Sequence, residues 1–238
     1  MKARDSVARS NGSASLPRAL LLDLDDTILD DSRNISSCWR DACFAHAPAL
    51  GETDPGLVFE EIERTRDWYW GDPERHRLGR LRLADARRDV VRMSIEKLGL
   101  DCPGVADSIA AHYQSARDRG IAPLEGAIET VRWLRDRGCR LALLTNGDGR
   151  VQRSKIDRFS LGPLFDEILI EGELGYGKPD PRVLTGVGVR GLSLFDGRIA
   201  AAVQRKRQRN HREFVGMLEA ELGKQMVKVP AMMASIVK

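Results

Sequence analysis

The stretch that decides the fold is Leu20-Leu21-Leu22-Asp23-Leu24-Asp25-Asp26-Thr27, in which a short apolar run ends abruptly in three carboxylates and a threonine. An apolar run of this length bounded by polar residues is typical of a buried strand in a parallel sheet. Ligands of open α/β sheets bind just beyond the carboxyl ends of the strands. Asp23 and Asp25 are therefore predicted to lie at a functional site, the alternative being a capping pair in a strand-to-helix turn.

The spacing of Asp23 and Asp25 predicts a metal site. Because one residue separates them, an extended chain would place both carboxylates on the same side. Acids crowded in this way repel each other unless a cation or a proton separates them. We therefore expect a hard divalent cation, Mg²⁺, which prefers carboxylate oxygens together with a substrate phosphate.

Two further segments predict phosphate binding. A second apolar strand, at residues 141–144, ends in Thr145-Asn146-Gly147. Its hydroxyl and amide can donate hydrogen bonds to a phosphate, and the glycine lets the backbone approach closely. In the segment Gly177-Lys178-Pro179-Asp180-Pro181, Pro179 favours an extended conformation at Lys178. Lys178 can then supply a fixed positive charge to a phosphate or an aspartate.

Taken in this order, the three motifs resemble those of the haloacid dehalogenase-like (HAD) hydrolase superfamily, over roughly residues 17–184. The resemblance implies that Asp23 is the nucleophile, forming an aspartyl-phosphate, and that Asp25 is the general acid/base. It implies that Thr145 and Asn146 hold the phosphoryl oxygens and that Lys178 neutralises the charge around Asp23. Phosphatases of the superfamily carry the second aspartate, whereas true dehalogenases lack it. The chain thus resembles a Mg²⁺-dependent phosphatase acting on a small phosphorylated metabolite.

The predicted fold class is α/β, with a Rossmann-like parallel sheet core and an inserted α-helical cap domain. We assign the core to residues 18–30 and 124–197. Its expected elements are helices at 126–137 and 152–159, a strand at 167–170 and a loop beginning at Glu171 and Gly172, in addition to the strands described above. Alternation of strands and helices in this order favours a parallel sheet with right-handed crossovers.

Residues 31–123 have helical rather than strand periodicity and correspond to the cap that the resemblance implies. Helices are predicted around 58–68, 84–98 and 105–117. The aromatic and basic stretch 68–77 could read the substrate, but a helix end packed on its neighbour is the favoured interpretation. A cap of this kind closes over the site and excludes water.

The segment after the Lys-Pro turn departs from the pattern of the superfamily, which places a pair of acids on a later strand to complete the metal site. Here the sequence has no acid between Asp180 and Asp196, and none follows Asp196 until Glu213. Asp196 is the candidate replacement ligand, although a solitary acid there is the weaker interpretation.

The atypical tail, residues 198–238, has nine Lys and Arg against three Glu. It lacks aromatic residues interleaved with the charges, so we interpret it as a solvated basic surface and expect no nucleic-acid binding. Phe214, Leu218, Leu222 and Met226 could form one apolar helix face that needs a partner surface.

Composition and termini agree with a cytoplasmic protein. The chain has 238 residues, of which 42% are hydrophobic and 31% charged, as in ordinary soluble proteins. Residues 1–17 are expected to be a disordered lead-in without a signal peptide, and no segment is apolar enough to cross a membrane. The four cysteines show neither zinc-ligand nor redox spacing, which favours free thiols in a reducing compartment.

Two functional classes follow from these observations. The first is a Mg²⁺-dependent phosphatase that uses the motifs described above. The second is a catalytically weak or inactive family member whose C-terminal part is truncated, spliced or frame-shifted, and which acts as a binding or interaction protein. The acid cluster after Lys178 separates them, because the first class requires it and the second predicts its absence.

Overall fold

The structure is a computed structural model, and it describes residues 19–180 and 182–183. The predicted lead-in, Asp196, the basic tail and its apolar helix face therefore lie outside the described residues.

The elements of the described chain alternate between a sheet and helices. In chain order they are β1 (Ala19–Leu22), β2 (Leu29–Asp30), α1 (Ile35–Ala45), α2 (Pro55–Gly71), α3 (Pro73–Leu81), α4 (Leu83–Lys97), α5 (Val105–Gly120), β3 (Ala122–Pro123), α6 (Ala127–Asp136), β4 (Arg140–Thr145), α7 (Gly149–Arg158), β5 (Glu167–Ile170) and α8 (Glu171–Leu174), with 3₁₀ turns at Ala47–Leu50 and Gly162–Leu164.

The main sheet is parallel and has the strand order β1-β4-β5. Leu22 lies opposite Leu143, and Thr145 lies opposite Ile170. Strand β4 is central, and its residues from Leu141 to Thr145 are buried because helices and loops cover both faces. The predicted α/β class with a parallel sheet core is thus confirmed.

Alternate residues of β4 enter two different cores, as the period of a strand requires. Leu141 and Leu143 pack with Val131 and Leu134 of α6 and Ile156 of α7. The intervening residues face the opposite side, in a smaller cluster that consists of Ala142, Leu144, Leu169 and Val183. The carboxyl ends of β1, β4 and β5 are therefore fixed relative to one another by packing on both sides.

Helices α1–α5, which we call the helical unit, have an apolar core of their own. Trp39 of α1 stacks on Tyr113 of α5 with ring centroids 3.6 Å apart, and Ile62 and Ile109 are fully buried beside them. This cluster shares no buried residue with the two clusters of the sheet. The helical unit is attached to the sheet through β2 and β3, which pair antiparallel as a short ribbon.

Most predicted elements agree with the structure within a few residues, and four features differ from the expectations. Helix α1 was not among the predicted helices. The stretch 68–77 contains the end of α2 and the start of a separate helix, α3. Asp72 caps α3, because its side chain accepts a hydrogen bond from the backbone N–H of Arg75. The ribbon of β2 and β3 was not expected, since it is only two residues long on each side. Glu171 and Gly172 begin one helical turn rather than a loop, because Gly175 closes that turn in the left-handed conformation.

The four cysteines are free thiols, as expected, and three of them, Cys38, Cys43 and Cys139, are buried. Burial raises the pKa of the Cys43 thiol to about 12, with the charge of Glu63 adding to the effect. Among the described residues, none of the helices combines the length and the apolar character that a membrane crossing requires.

Candidate active site

A tight turn after β1 presents the two aspartates. Leu24, between Asp23 and Asp25, is fully buried and anchors the turn in the core. Its carbonyl accepts hydrogen bonds from the backbone N–H groups of Ile28 and Leu29, at 2.9 and 3.0 Å. The chain then enters β2 rather than a helix, so the two acids do not cap a helix. The local fold thus places both carboxyl groups at the end of the sheet.

The carboxylate of Asp23 is paired with Lys178. The Lys178 Nζ lies 2.6 Å from Asp23 Oδ2, and both side chains are roughly three-quarters buried. The position of the lysine is fixed by Asn146, whose Oδ1 accepts from the backbone N–H of Lys178 at 2.7 Å and whose Nδ2 donates to the Lys178 carbonyl at 2.8 Å. The Asn146 side chain therefore connects the loop after β4 to the lysine loop.

The carboxylate of Asp25 is paired with groups from α7. Lys155 Nζ donates to Asp25 Oδ1 and Gln152 Nε2 donates to Asp25 Oδ2, both at 2.8 Å. The same Gln152 amide lies 2.5 Å from the hydroxyl of Thr145, which is 1% exposed, and 3.1 Å from the carbonyl of Asn146. Gln152 thus ties the acid after β1 to the polar residues after β4.

Asp25 is protonated more readily than an exposed carboxyl group. Burial raises the pKa of Asp25, and the negative charge of nearby Asp31 raises it further. The positive charge of Lys155 and the hydrogen bonds from Lys155 and Gln152 act in the opposite direction without cancelling the rise. A carboxyl group of this kind is suited to donating a proton.

Glu171, at the end of β5, joins the site to the helical unit. Its Oε2 accepts from the backbone N–H of Gly147 at 3.0 Å. The Arg80 guanidinium on α3 binds the same carboxylate at both oxygens, at 2.7 and 2.5 Å. Glu171 is 4% exposed, so this contact is a buried ion pair between the helical unit and the sheet.

The structure brings the predicted site residues that it describes to one edge of the sheet, whereas the candidate ligand Asp196 lies outside the described residues. Asp23 and Asp25 follow β1, Thr145 and Asn146 follow β4, and Lys178 reaches back to Asp23 from the loop after α8. Sequence reasoning missed Gln152, Lys155, Glu171 and Arg80. The spacing of Gln152 and Lys155, three residues apart on the helix that follows the loop after β4, was a usable signal because it places both side chains on one helix face.

Oxygen donors for a metal ion are present but few in the described part of the chain. The Asp23 carboxylate and the Asp25 backbone carbonyl are hard oxygen donors of the type that Mg²⁺ prefers. Among residues 19–180 and 182–183, no group of three or more His, Cys, Asp or Glu side chains could enclose a metal ion. The donors fit a Mg²⁺ ion that takes its other ligands from phosphate and water.

Comparison with known proteins shows the family. The family model of haloacid dehalogenase-like hydrolases matches residues 17–186, which is more than half of the chain. The chain therefore belongs to the haloacid dehalogenase-like hydrolases.

Several relatives are named as phosphatases. The chain is 34% identical over 183 residues to a phosphoserine phosphatase from Thermus thermophilus, with 70% of this chain and 72% of the relative covered. It is 25% identical over 169 residues to a glyceraldehyde 3-phosphate phosphatase from Methanopyrus kandleri, covering 70% and 66%. It is 27% identical over 185 residues to phosphoglycolate phosphatase 1 from Pseudomonas aeruginosa, covering 75% and 60%. The chain thus spans between 60% and 72% of the length of these relatives.

Solved structures share the fold. The HAD hydrolase YfnB from Bacillus subtilis, in a crystal form bound to magnesium, superposes with a TM-score of 0.55 at 20% identity, covering 76% of this chain and 75% of that one. A protein assigned as a β-phosphoglucomutase from Thermotoga maritima superposes with a TM-score of 0.51 at 18% identity, covering 73% and 70%.

A substitution at Gly177 tests the packing of the three loops around the site. A Cβ atom at this position would lie 2.6 Å from Asn146 Oδ1 and 2.6 Å from Glu171 Cδ, and both side chains are held by other partners. We expect Gly177→Ala to lower the free energy of unfolding by about 1–3 kcal/mol, measured by urea denaturation.

The matched control is Gly162→Ala, because a Cβ atom at Gly162 would meet nothing within 4 Å. That variant should stay within about 0.5 kcal/mol of the unmodified protein. Equal stability of the two variants would show that the loops do not pack as described.

Proposed function

We propose that this protein is a phosphatase that hydrolyses a small phosphorylated metabolite through an aspartyl-phosphate on Asp23. The observation that carries the proposal is the separate pairing of the two strand-end acids, Asp23 with Lys178 and Asp25 with Lys155 and Gln152. It gives two chemically identical groups different surroundings, as a nucleophile and an acid require. Membership of the hydrolase family and the phosphatase names of the relatives support the same reaction.

In the proposed first step, an Asp23 oxygen forms a bond to phosphorus while the bond between phosphorus and the leaving oxygen breaks. Asp25 gives its proton to that oxygen. In the second step Asp25 takes a proton from water, whose oxygen bonds to phosphorus, and the bond to Asp23 breaks to release phosphate. Lys178 balances the charge of Asp23 when substrate is absent and that of the phosphoryl group when it is present.

The loop after β4 is proposed to hold the phosphoryl oxygens, with Thr145 and Asn146 as its polar residues. In the structure the Asn146 side chain holds the backbone of Lys178, so it would also position the lysine. A Mg²⁺ ion, held by the Asp23 carboxylate and the Asp25 carbonyl, would neutralise phosphate charge when bound.

The helical unit is proposed to be the cap over this site, with boundaries near residues 31 and 123, and the core to consist of the segments on either side. It supplies Arg80, which reaches the site through Glu171. The named relatives act on phosphoserine, glyceraldehyde 3-phosphate and phosphoglycolate, which supports a small organic phosphate as substrate. Four free thiols support a reducing, cytoplasmic location.

The alternative function, an inactive family member that binds a partner, is less well supported. Its basis is the missing acid cluster after Lys178, whereas the described residues assemble both acids and both lysines at one edge of the sheet. The experiments below separate the two functions.

Asp23→Asn should abolish hydrolysis of nitrophenyl phosphate, because an amide cannot form the aspartyl-phosphate. The expected loss in kcat is on the order of 10³-fold or more. Asp41→Asn, the same change at an exposed residue of α1, is the matched control and should leave the rate unchanged. Turnover of the Asp23 variant near that of the unmodified protein would remove Asp23 from the role of nucleophile.

Asp25→Asn should reduce kcat/KM according to the need of the leaving group for a proton, because kcat/KM reports the step in which the leaving oxygen departs. For an alkyl phosphate the expected loss in kcat/KM is about 10²–10⁴-fold, the usual contribution of general acid catalysis. For nitrophenyl phosphate the loss in kcat/KM should be much smaller, since nitrophenolate leaves without protonation, while kcat should fall for both substrates because the second step needs Asp25 as a base. Equal losses in kcat/KM for the two substrates would contradict the acid role.

Activation by Mg²⁺ should be weak, because the sequence has no acid between Asp180 and Asp196 to complete the set of ligands. Mg²⁺ demands near-ideal octahedral geometry, so replacing protein ligands by water lowers its affinity. We expect that titration of nitrophenyl phosphate hydrolysis with Mg²⁺ will not saturate at ordinary millimolar concentrations. Tight, saturable activation would contradict this expectation, and its loss in Asp196→Ala would identify Asp196 as the further ligand.

A further inference from the structure

Helix α7 carries two side chains that hold Asp25 at both of its oxygens. Gln152 and Lys155 lie three residues apart and therefore project from one face of the helix. Each donates to a different oxygen of Asp25 at 2.8 Å. Gln152 is 2% exposed and the Lys155 side chain 11%, so neither contact is a loose surface interaction.

The ammonium group of Lys155 also contacts Asp31, which lies where the chain leaves the sheet and enters the helical unit. Its Nζ lies 3.0 Å from Asp31 Oδ1, and Asp31 Oδ2 forms an ion pair with Arg117 at 3.2 Å. Arg117 also donates a hydrogen bond to the Asp31 backbone carbonyl. Asp31 directly follows β2, and Arg117 lies in the last turn of α5, just before β3. The ion pairs thus run from the acid to both chain segments that connect the helical unit with the sheet.

The donors that hold Asp25 differ in kind from those of Asp23. Both oxygens of Asp25 accept from side chains of one helix, which defines the plane of its carboxyl group, whereas Asp23 accepts from Lys178 at Oδ2 and from the backbone N–H of its neighbour Leu24 at Oδ1. A carboxylate oxygen has more than one lone-pair position, so an oxygen that keeps its donor can still face a leaving group. Proton transfer requires a defined geometry between the acid and the leaving oxygen.

We propose that Lys155 is a positioning residue, which together with Gln152 orients the Asp25 carboxyl group for proton transfer and couples that orientation to the attachment of the helical unit. The inference rests on the proposed phosphatase function and adds a residue to it. Lys155 acts through Asp25 and does not contact the substrate. If Lys155 served only to hold α7 in place, its removal would lower turnover of every substrate by the same factor.

The experiment compares Lys155→Met, which removes the charge at similar volume, with Lys155→Arg, which keeps it. For Lys155→Met we expect kcat/KM for an alkyl phosphate to fall about 10–100-fold, the usual cost of removing a group that orients a functional residue. The fall in kcat/KM for nitrophenyl phosphate should be several times smaller, because kcat/KM reports the step in which the leaving oxygen departs. Lys155→Arg should restore most of the kcat/KM for the alkyl phosphate.

The ratio of the two kcat/KM values is the informative quantity, because it does not depend on the fraction of the variant that is folded. The matched control is Lys97→Met, since Lys97 likewise bridges a carboxylate, that of Glu61, but lies within the helical unit. It should leave the ratio unchanged. Combining Lys155→Met with Asp25→Asn should cost no more than Asp25→Asn alone, because residues acting as one unit are not additive.

Each outcome decides the inference. Equal losses on the two substrates, or additive losses in the double variant, would overturn the role of Lys155 while the phosphatase proposal stands. An unmodified protein that hydrolyses neither substrate would overturn the phosphatase proposal and this inference with it.

Discussion

The rest of the site depends on the charge of two carboxylates that lie close together after strand β1. Asp23 and Asp25 are both more than two-thirds buried, and an ionised carboxylate in such surroundings is costly without a positive partner. A single lysine cannot balance both acids and also distinguish between them. The structure instead brings one lysine to each acid, Lys178 from a loop and Lys155 from a helix.

The loops at the sheet edge are held together by side chains that bind backbone groups. Loop backbones have polar groups that no strand or helix satisfies, and these need partners when buried. Asn146 binds the N–H and the carbonyl of Lys178, and Glu171 binds the N–H of Gly147. Two side chains thus set the spacing between the loop after β4, the lysine loop and the end of β5.

The sequence predicted the parts of the site that depend on local pattern. The apolar runs before Asp23 and Thr145 identified strands, and strands of a parallel sheet end at a common edge. Glu171 and Arg80 could not be found in this way, and for Lys155 the only local signal was its spacing from Gln152. Lys155 meets Asp25 from 130 residues away, and Arg80 and Glu171 are 91 residues apart, so their contacts exist only after the chain has folded. Helix α1, the short ribbon and α3 were missed; a two-residue strand has no period, and α3 has few apolar residues.

Two sets of ion pairs connect the helical unit with the edge of the sheet. Arg80 meets Glu171 beside the loop after β4, and Arg117 meets Asp31 beside Lys155. Within the described residues, the apolar core of the helical unit is separate from those of the sheet, so no shared hydrophobic cluster there fixes their relative position. Polar interfaces of this kind permit relative motion of two parts of a chain. Since one set of ion pairs holds the loop after β4 and the other holds Asp25, any such motion would act on both halves of the proposed chemistry together.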